Sequence, residues 1–155
     1  MNWDAIGAVG ELLGAALLIG SLIYVAFQVR DAKTQIKSAT SQARVDSYQN
    51  LVAVRLQPEL ANAELTSRKA PEKLTDLDRF YMFAFLSMFM SHWQNVYYQR
   101  RIGTLVDEQS GALDTLPLFK LSPYYITIWK KGEWKGSFDT DFIQHVDSII
   151  GEILA

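Results

Sequence analysis

An uncharged and mostly apolar run covers residues 12–29, close to the start of the chain. At 1.5 Å per residue a helix of this run is about 27 Å long, and extending it to residues 5–29, with Glu11 near an interface, gives about 37 Å. The apolar core of a bilayer is roughly 30 Å thick, so the run predicts one transmembrane helix. A cleaved signal peptide fits less well, because such signals begin with basic residues and contain only about 7–15 apolar ones. A buried helix of a soluble protein is the other alternative, but such helices usually keep a polar stripe.

The helical pattern continues beyond the membrane run. No proline or glycine occurs between Val29 and Pro58, and apolar residues recur there at spacings of three and four. This pattern predicts one helix of about 50 residues that ends at Gln57, because the residue before a proline is pushed out of helical geometry.

Five further segments are expected to be helical. Thr75 and Asp78 form a predicted capping box, and Ser122 and Pro123 resemble an N-cap followed by a first-turn proline. The predicted helices cover residues 58–69, 76–101, a short part of 104–121, 122–132 and the C-terminal segment from 137–140 onward. The last of these is expected to bury Phe142, Ile143, Val146, Ile149, Ile150 and Ile153. We therefore predict an all-α protein in which one N-terminal transmembrane helix, residues 1–30, continues into a helical bundle domain, residues 31–155.

The predicted helix over residues 76–101 is apolar on all sides in its middle, at residues 80–90. Arg79 and Gln94 enclose only 14 residues, which are too few to cross a bilayer. We therefore expect a buried central helix that stops at Gly103. Its apolar surface also suits a helix that packs on its own domain with one face and on another subunit with the other.

The net charge of −2 hides an uneven distribution. From Arg30 to Arg55 there are five basic and two acidic residues, a local charge of +3, whereas Asp4 and Glu11 are the charged residues before the apolar run. Cytoplasmic flanks of membrane helices carry an excess of Lys and Arg. The predicted orientation therefore has the N-terminus outside and the helical domain in the cytoplasm.

Small and polar residues recur along one side of the predicted membrane helix. Gly10 and Gly14 form a small-xxx-small step, which lets two helix backbones approach, and Ser or Gln side chains hydrogen-bond across such contacts where lipid offers no partner. Glycine is also common in membrane helices that have no such contact. We predict that this side pairs with a second copy or with another membrane protein, while the rest of the helix contacts the lipid bilayer. The predicted packing surface, called the glycine face below, consists of Gly7, Gly10, Gly14, Leu17, Ser21, Tyr24 and Gln28.

The segment of residues 124–135 is rich in aromatic and lysine side chains. One interpretation places Trp129, Lys130, Lys131 and Trp134 against the anionic cytoplasmic leaflet, with the indoles at headgroup depth and the lysines on lipid phosphates. The other interpretation, which we favour, places the aromatic side chains in the core and the lysines in solvent.

Several common catalytic patterns are missing from the sequence. The chain has no cysteine, which excludes disulfides and thiolate chemistry, and His92 and His145 are not part of a metal-binding spacing. It has no nucleophile elbow and no phosphate loop, and the glycines of the first helix lack dinucleotide-binding spacing. The acidic net charge and the lack of a basic stripe argue against nucleic acid as a partner. We therefore predict no catalytic residue, no cofactor and no metal site, and a protein that is not an enzyme.

Three short patterns point to a family. They are Tyr24-x-Ala26-x-Gln28-x-Arg30, then Asn95-x-Tyr97-Tyr98-x-x-Arg101-x-Gly103, and Trp129 followed by Ser137-Phe138 before a closing helix. Together they resemble a widespread bacterial family of small membrane-anchored proteins, and the resemblance covers most of the chain. It implies a single-span protein of the bacterial cytoplasmic membrane with a helical cytoplasmic domain. The family has no established activity, cofactor or catalytic residue, so the resemblance implies none.

Two functions from different classes follow from these features. In the favoured one, the protein is a structural or accessory interaction module that self-associates or joins a larger membrane complex through its membrane helix. In the alternative, it is a membrane-anchored sensor or enzyme-like module whose helical domain binds a small apolar or aromatic ligand. That ligand would lie between the central helix and the segment 124–135, with His92 or Gln94 facing inward.

Overall fold

The computed structural model describes residues 3–105, 116–132 and 134–155, and every regular element within them is helical. The all-α prediction is therefore confirmed for this part of the chain. The α-helices are α1 (Trp3–Arg55), α2 (Pro58–Lys69), α3 (Asp76–Arg101), α4 (Leu116–Leu121), α5 (Tyr124–Lys131) and α6 (Thr140–Leu154). Within the described ranges, short 3₁₀ helices cover Pro71–Lys73 and Lys135–Ser137. The predicted helix in residues 104–121 corresponds to α4, and residues 106–115 lie outside the described residues.

The chain divides into two compact units, Met1–Ala39 and Thr40–Ala155. The first unit is the N-terminal part of α1. Among the described helices, α1 is the one that is long and apolar enough to cross a membrane, and none of its apolar window is buried against the rest of the chain. Leu12 and Leu17, for example, are 76% and 72% exposed. The N-terminal element is therefore one long apolar helix without a covering layer among the described residues.

Capping groups set the ends of several helices in the second unit. At the start of α3, the Asp78 backbone N–H donates to Thr75 Oγ1 at 3.1 Å, and the Thr75 backbone N–H donates to Asp78 Oδ2 at 2.9 Å. The predicted capping box is thus confirmed, and its hydrogen bonds hold the pKa of Asp78 below its ordinary value. Gly103 and Gly132 follow α3 and α5 with φ of 72° and 77°, a left-handed geometry that glycine adopts without strain.

The start of α5 differs from the prediction. Pro123, not Ser122, is the N-cap residue, and Tyr124 is the first helical residue. The Ser122 side chain is fully buried and its hydroxyl lies 3.2 Å from Ser67 Oγ in α2. The hydroxyl is thus used in a contact between helices, which a local sequence pattern does not reveal.

The core of the second unit lies between the C-terminal part of α1 and helices α2 to α6. Its largest fully buried side chains include Trp93 of α3, Phe119 of α4, Tyr125 and Trp129 of α5 and Phe142 of α6. Along α6 the predicted inward positions are confirmed: Phe142, Val146 and Ile150 are buried, and Ile143, Ile149 and Ile153 pack against the core.

Helix α3 is central, as predicted, and it is only partly covered. Met82, Leu86 and Met90 are completely buried, whereas Leu77 and Phe80 are 59% and 62% exposed. Helix α3 therefore has apolar residues on its exposed side as well as on its buried side. The predicted contact with another subunit on that side stays a prediction.

Candidate functional site

The glycine face lies on the part of α1 that belongs to the first unit. All seven of its residues are exposed, and a Cβ atom added at Gly7, Gly10 or Gly14 would meet no other atom within 4 Å. Ser21 Oγ donates to the Leu17 backbone carbonyl at 2.8 Å, a common way for a helical serine to satisfy its hydroxyl. Within the described chain the glycines therefore serve no internal packing contact.

A buried carboxylate forms the main polar centre of the second unit. Glu64 of α2 is 5% exposed and accepts hydrogen bonds from Arg55 Nε at 3.0 and 3.1 Å and from Arg55 Nη2 at 2.9 Å. Arg68 Nη2 lies 3.4 Å from the same carboxylate. Tyr125 of α5 donates its hydroxyl to Glu64 Oε1 at 2.7 Å. These four residues, called the Glu64 cluster below, connect the end of α1 with α2 and α5.

The Glu64 cluster carries a net positive charge. Burial and the neighbouring Glu64 carboxylate raise the pKa of Tyr125 far above its ordinary value, so the phenol stays neutral and acts as a donor. Two guanidinium groups then face one carboxylate, which leaves a formal charge of +1. Arg55 Nη1 makes no hydrogen bond to the described residues, and the guanidinium carbon lies 6.0 Å from the centre of the Phe85 ring.

An apolar cleft of 230 Å³ lies next to the Glu64 cluster, between α1, α3 and α4. Arg55 is the charged residue among those that line it, and the others are aromatic or aliphatic: Tyr48, Leu51, Val52, Phe85, Phe89, Leu118 and Leu121. A second, more open cleft of 440 Å³ shares Val52 and Arg55 with the first and also contacts Glu64 and Arg68. Arg55 therefore lines both clefts.

A polar groove between α1 and α3 contains the first of the two histidines. Ser47 Oγ and His92 Nδ1 are 2.8 Å apart, and Asn50, Ser91 and Asn95 line the same groove. The groove has a serine and an imidazole in contact, but no carboxylate is among its lining residues.

The second histidine is part of an aromatic stack. The His145 ring is stacked on Tyr97 at a centroid distance of 4.9 Å and meets the edge of Trp93 at 5.8 Å. Burial and the positive charge of Arg100 lower the pKa of His145, although Glu152 acts in the opposite direction. The two histidines do not share a site, and no group of three His, Cys, Asp or Glu side chains among the described residues has a metal-binding arrangement.

The segment 124–135 divides between core and solvent. Trp129 is fully buried and its indole N–H donates to Asp147 Oδ1 at 2.6 Å, whereas Lys130 and Lys131 are exposed. Trp134 is partly buried and meets the edge of Trp129 at 5.4 Å. Of the predicted membrane-surface residues, Trp129 is therefore a core residue, because its ring fills the space between α5 and α6. The two lysines stay available for contact with a surface.

The ligand position considered between α3 and the segment 124–135 is occupied by side chains. Phe85 and Tyr125 pack there at a centroid distance of 6.1 Å, and Tyr125 and Trp129 are both 0% exposed. His92 contacts Ser47 of α1, and Gln94 Oε1 accepts the Asp139 backbone N–H at 3.0 Å. His92 and Gln94 thus each have a contact outside the segment 124–135.

The sequence patterns did not identify the Glu64 cluster. Glu64 and Arg68 have the spacing of an ordinary surface ion pair on a helix, and Arg55 is one of several basic residues after the apolar run. Tyr125 is 61 residues from Glu64 in sequence. Glu64 lies on the same side of α2 as Leu60 and Ser67, which are buried, and this helical spacing is the sequence signal for its burial.

Comparison with protein-family models, with curated proteins and with solved structures finds no match for this chain. The resemblance to the bacterial family of membrane-anchored proteins therefore stays a prediction.

Proposed function

We propose that this protein is a single-pass protein of the bacterial cytoplasmic membrane that acts as a structural or accessory interaction module. In this proposal α1 crosses the bilayer with its N-terminus outside, and the helical domain is cytoplasmic. The glycine face pairs with a second copy, or with another membrane protein in a larger complex. The observation that carries the proposal is the apolar window of α1, none of which is buried, together with a second unit that has a hydrophobic core of its own.

The exposure of α1 supports a membrane rather than a soluble environment. A soluble protein rarely exposes a continuous apolar surface of several helical turns to water. Leu12, Leu18 and Leu22 are each more than two-thirds exposed. Lipid covers such a surface without any further protein contact, and the basic residues Arg30, Lys33 and Lys37 follow directly on the predicted cytoplasmic side.

The geometry of the glycine face supports helix pairing. At 100° per residue its seven positions lie within about 100° of one another around α1. Small residues on such a stripe allow close backbone approach, and van der Waals contacts then drive association in lipid. Because added side-chain atoms at Gly10 or Gly14 have no neighbour in the single chain, bulk at these positions is expected to disturb only a contact with another helix.

The test is native mass spectrometry after gentle detergent extraction from bacterial membranes. We expect the wild-type chain to appear as a discrete homo-oligomer or together with a defined membrane partner. The double substitution Gly10→Ile and Gly14→Ile is expected to release a monomer, because the bulky side chains separate the helix backbones.

The matched control is the double substitution Ala8→Ile and Ala15→Ile, whose positions lie about 140° from the centre of the glycine face. It adds similar bulk and is expected to leave the assembly intact. Near-ultraviolet circular dichroism of the buried Trp93 and Trp129 checks that the domain stays folded in both variants. A wild-type monomer, or an assembly that persists in the glycine variant, contradicts the proposed role of this face.

A further inference from the structure

We propose that the apolar cleft beside Arg55 binds the acyl chain of a long-chain carboxylate, with Arg55 holding the carboxylate group. This function is separate from helix pairing, because it depends on residues of the second unit and not on the glycine face. It differs from the ligand position considered from the sequence, which is filled by Tyr125 and Trp129.

The size of the cleft selects for a narrow ligand. Pockets for drug-sized molecules measure about 300–1,000 Å³. The cleft, at 230 Å³, is below this range, so it holds a narrow part of an acyl chain next to Arg55, and the rest of the chain lies outside it. Its walls are Phe85 and Phe89 of α3, Leu118 of α4 and Leu51 of α1, which offer only apolar contacts to such a chain.

The charge at the end of the cleft selects for a monoanion. Arg55 uses Nε and Nη2 to hold Glu64, and its Nη1 has no partner among the described residues. The Glu64 cluster carries a formal charge of +1 because Tyr125 stays protonated. A carboxylate has one negative charge and matches this excess, whereas a phosphate monoester carries about −1.5 to −2 at neutral pH.

The surrounding surface is suited to an amphipathic ligand. Tyr48 and Val52 are each 37% exposed and Leu121 is 49% exposed, so the rim of the cleft is itself apolar. Arg55 has a side-chain exposure of 29%, so its guanidinium is accessible and is only partly screened by water. An arginine at the edge of an apolar surface forms charge-assisted hydrogen bonds that are stronger than those in full solvent.

The experiment uses the full chain in lipid nanodiscs and two photoactivatable probes with the same chain, a diazirine-bearing palmitic acid and the corresponding neutral alcohol. Labelled residues are mapped by peptide mass spectrometry. Both probes are expected to label residues 7–29 equally from the lipid phase, which provides an internal reference. Peptides with Val52 or Leu121 are expected to be labelled about tenfold more by the acid, the gain expected from one charge-assisted hydrogen bond.

Two substitutions of opposite charge at the exposed Leu121 give the matched variants. Leu121→Glu places a like charge at the rim and is expected to reduce labelling of the cleft by the acid about tenfold. Leu121→Lys has similar size and is expected to retain or increase it. Leu121 is 49% exposed and is not part of the Glu64 cluster, so both variants are expected to fold.

Three results would overturn the proposal. They are equal labelling of the cleft peptides by acid and alcohol, equal labelling in the two Leu121 variants, and displacement of the acid by inorganic phosphate at the same concentration. The last result would show a site for a free anion in place of an acyl carboxylate.

Discussion

Glu64 shows how single residues organise the helical domain. A carboxylate that is 5% exposed is costly unless it is paired and hydrogen-bonded, and here Arg55, Arg68 and Tyr125 all contribute. The same arrangement leaves part of Arg55 free at the apolar cleft. Glu64 therefore has a structural role, and it also positions the guanidinium that we propose to recognise a carboxylate.

Removal of the Glu64 charge is expected to destabilise the domain. Glu64→Gln leaves two guanidinium groups beside a neutral amide, and we expect the free energy of unfolding to fall by about 2–3 kcal/mol. This is less than the about 3–5 kcal/mol typical of a fully buried pair, because Arg55 and Arg68 are partly exposed. Urea unfolding of the full chain in detergent, followed by near-ultraviolet circular dichroism, measures the change.

Glu59→Gln is the matched control for that substitution. Glu59 is exposed in the first turn of the same helix, where a carboxylate contributes less than about 1 kcal/mol. Equal destabilisation by the two substitutions would mean that the Glu64 cluster has no special role in the stability of the domain.

Local sequence signals explain much of the secondary structure. The spacing of apolar residues from Val29 to Pro58 predicted the continuation of α1, and the pair Thr75 and Asp78 predicted the start of α3. Each of these signals depends on residues within one or two helical turns of each other, so it can be read from a single segment of the sequence. The start of α5 was predicted wrongly because Ser122 forms its hydrogen bond with Ser67, which lies in another helix.

The capping box of α3 gives a prediction for one element. Thr75→Ala removes the side-chain acceptor for the Asp78 backbone N–H, and we expect a loss of about 1 kcal/mol in the free energy of unfolding. Thr127→Ala, at an exposed position inside α5, serves as the control and is expected to change stability by less than about 0.5 kcal/mol. Urea unfolding of both variants decides this, and similar values for the two would show that the cap does not stabilise α3.

At the scale of the molecule, the two compact units differ in the burial of their apolar residues. In the unit Met1–Ala39, the apolar window of α1 is exposed along its whole length. The unit Thr40–Ala155 has a core with fully buried tryptophans and a charged cluster of its own. The apolar cleft in this second unit was not predictable from the sequence, because its walls come from three helices far apart along the chain.

The central claim, that α1 pairs through its glycine face in the membrane, is tested most directly by a disulfide scan in native membranes. The natural sequence has no cysteine, so single cysteines at positions 7–24 can each be introduced into an otherwise thiol-free chain and oxidised. We predict dimer cross-links with a helical period, strongest at Gly10, Gly14 and Ser21 and weakest at Ala8 and Ala15. Cross-linking that is absent throughout, or that is strongest at Ala8 and Ala15, would contradict self-pairing through this face.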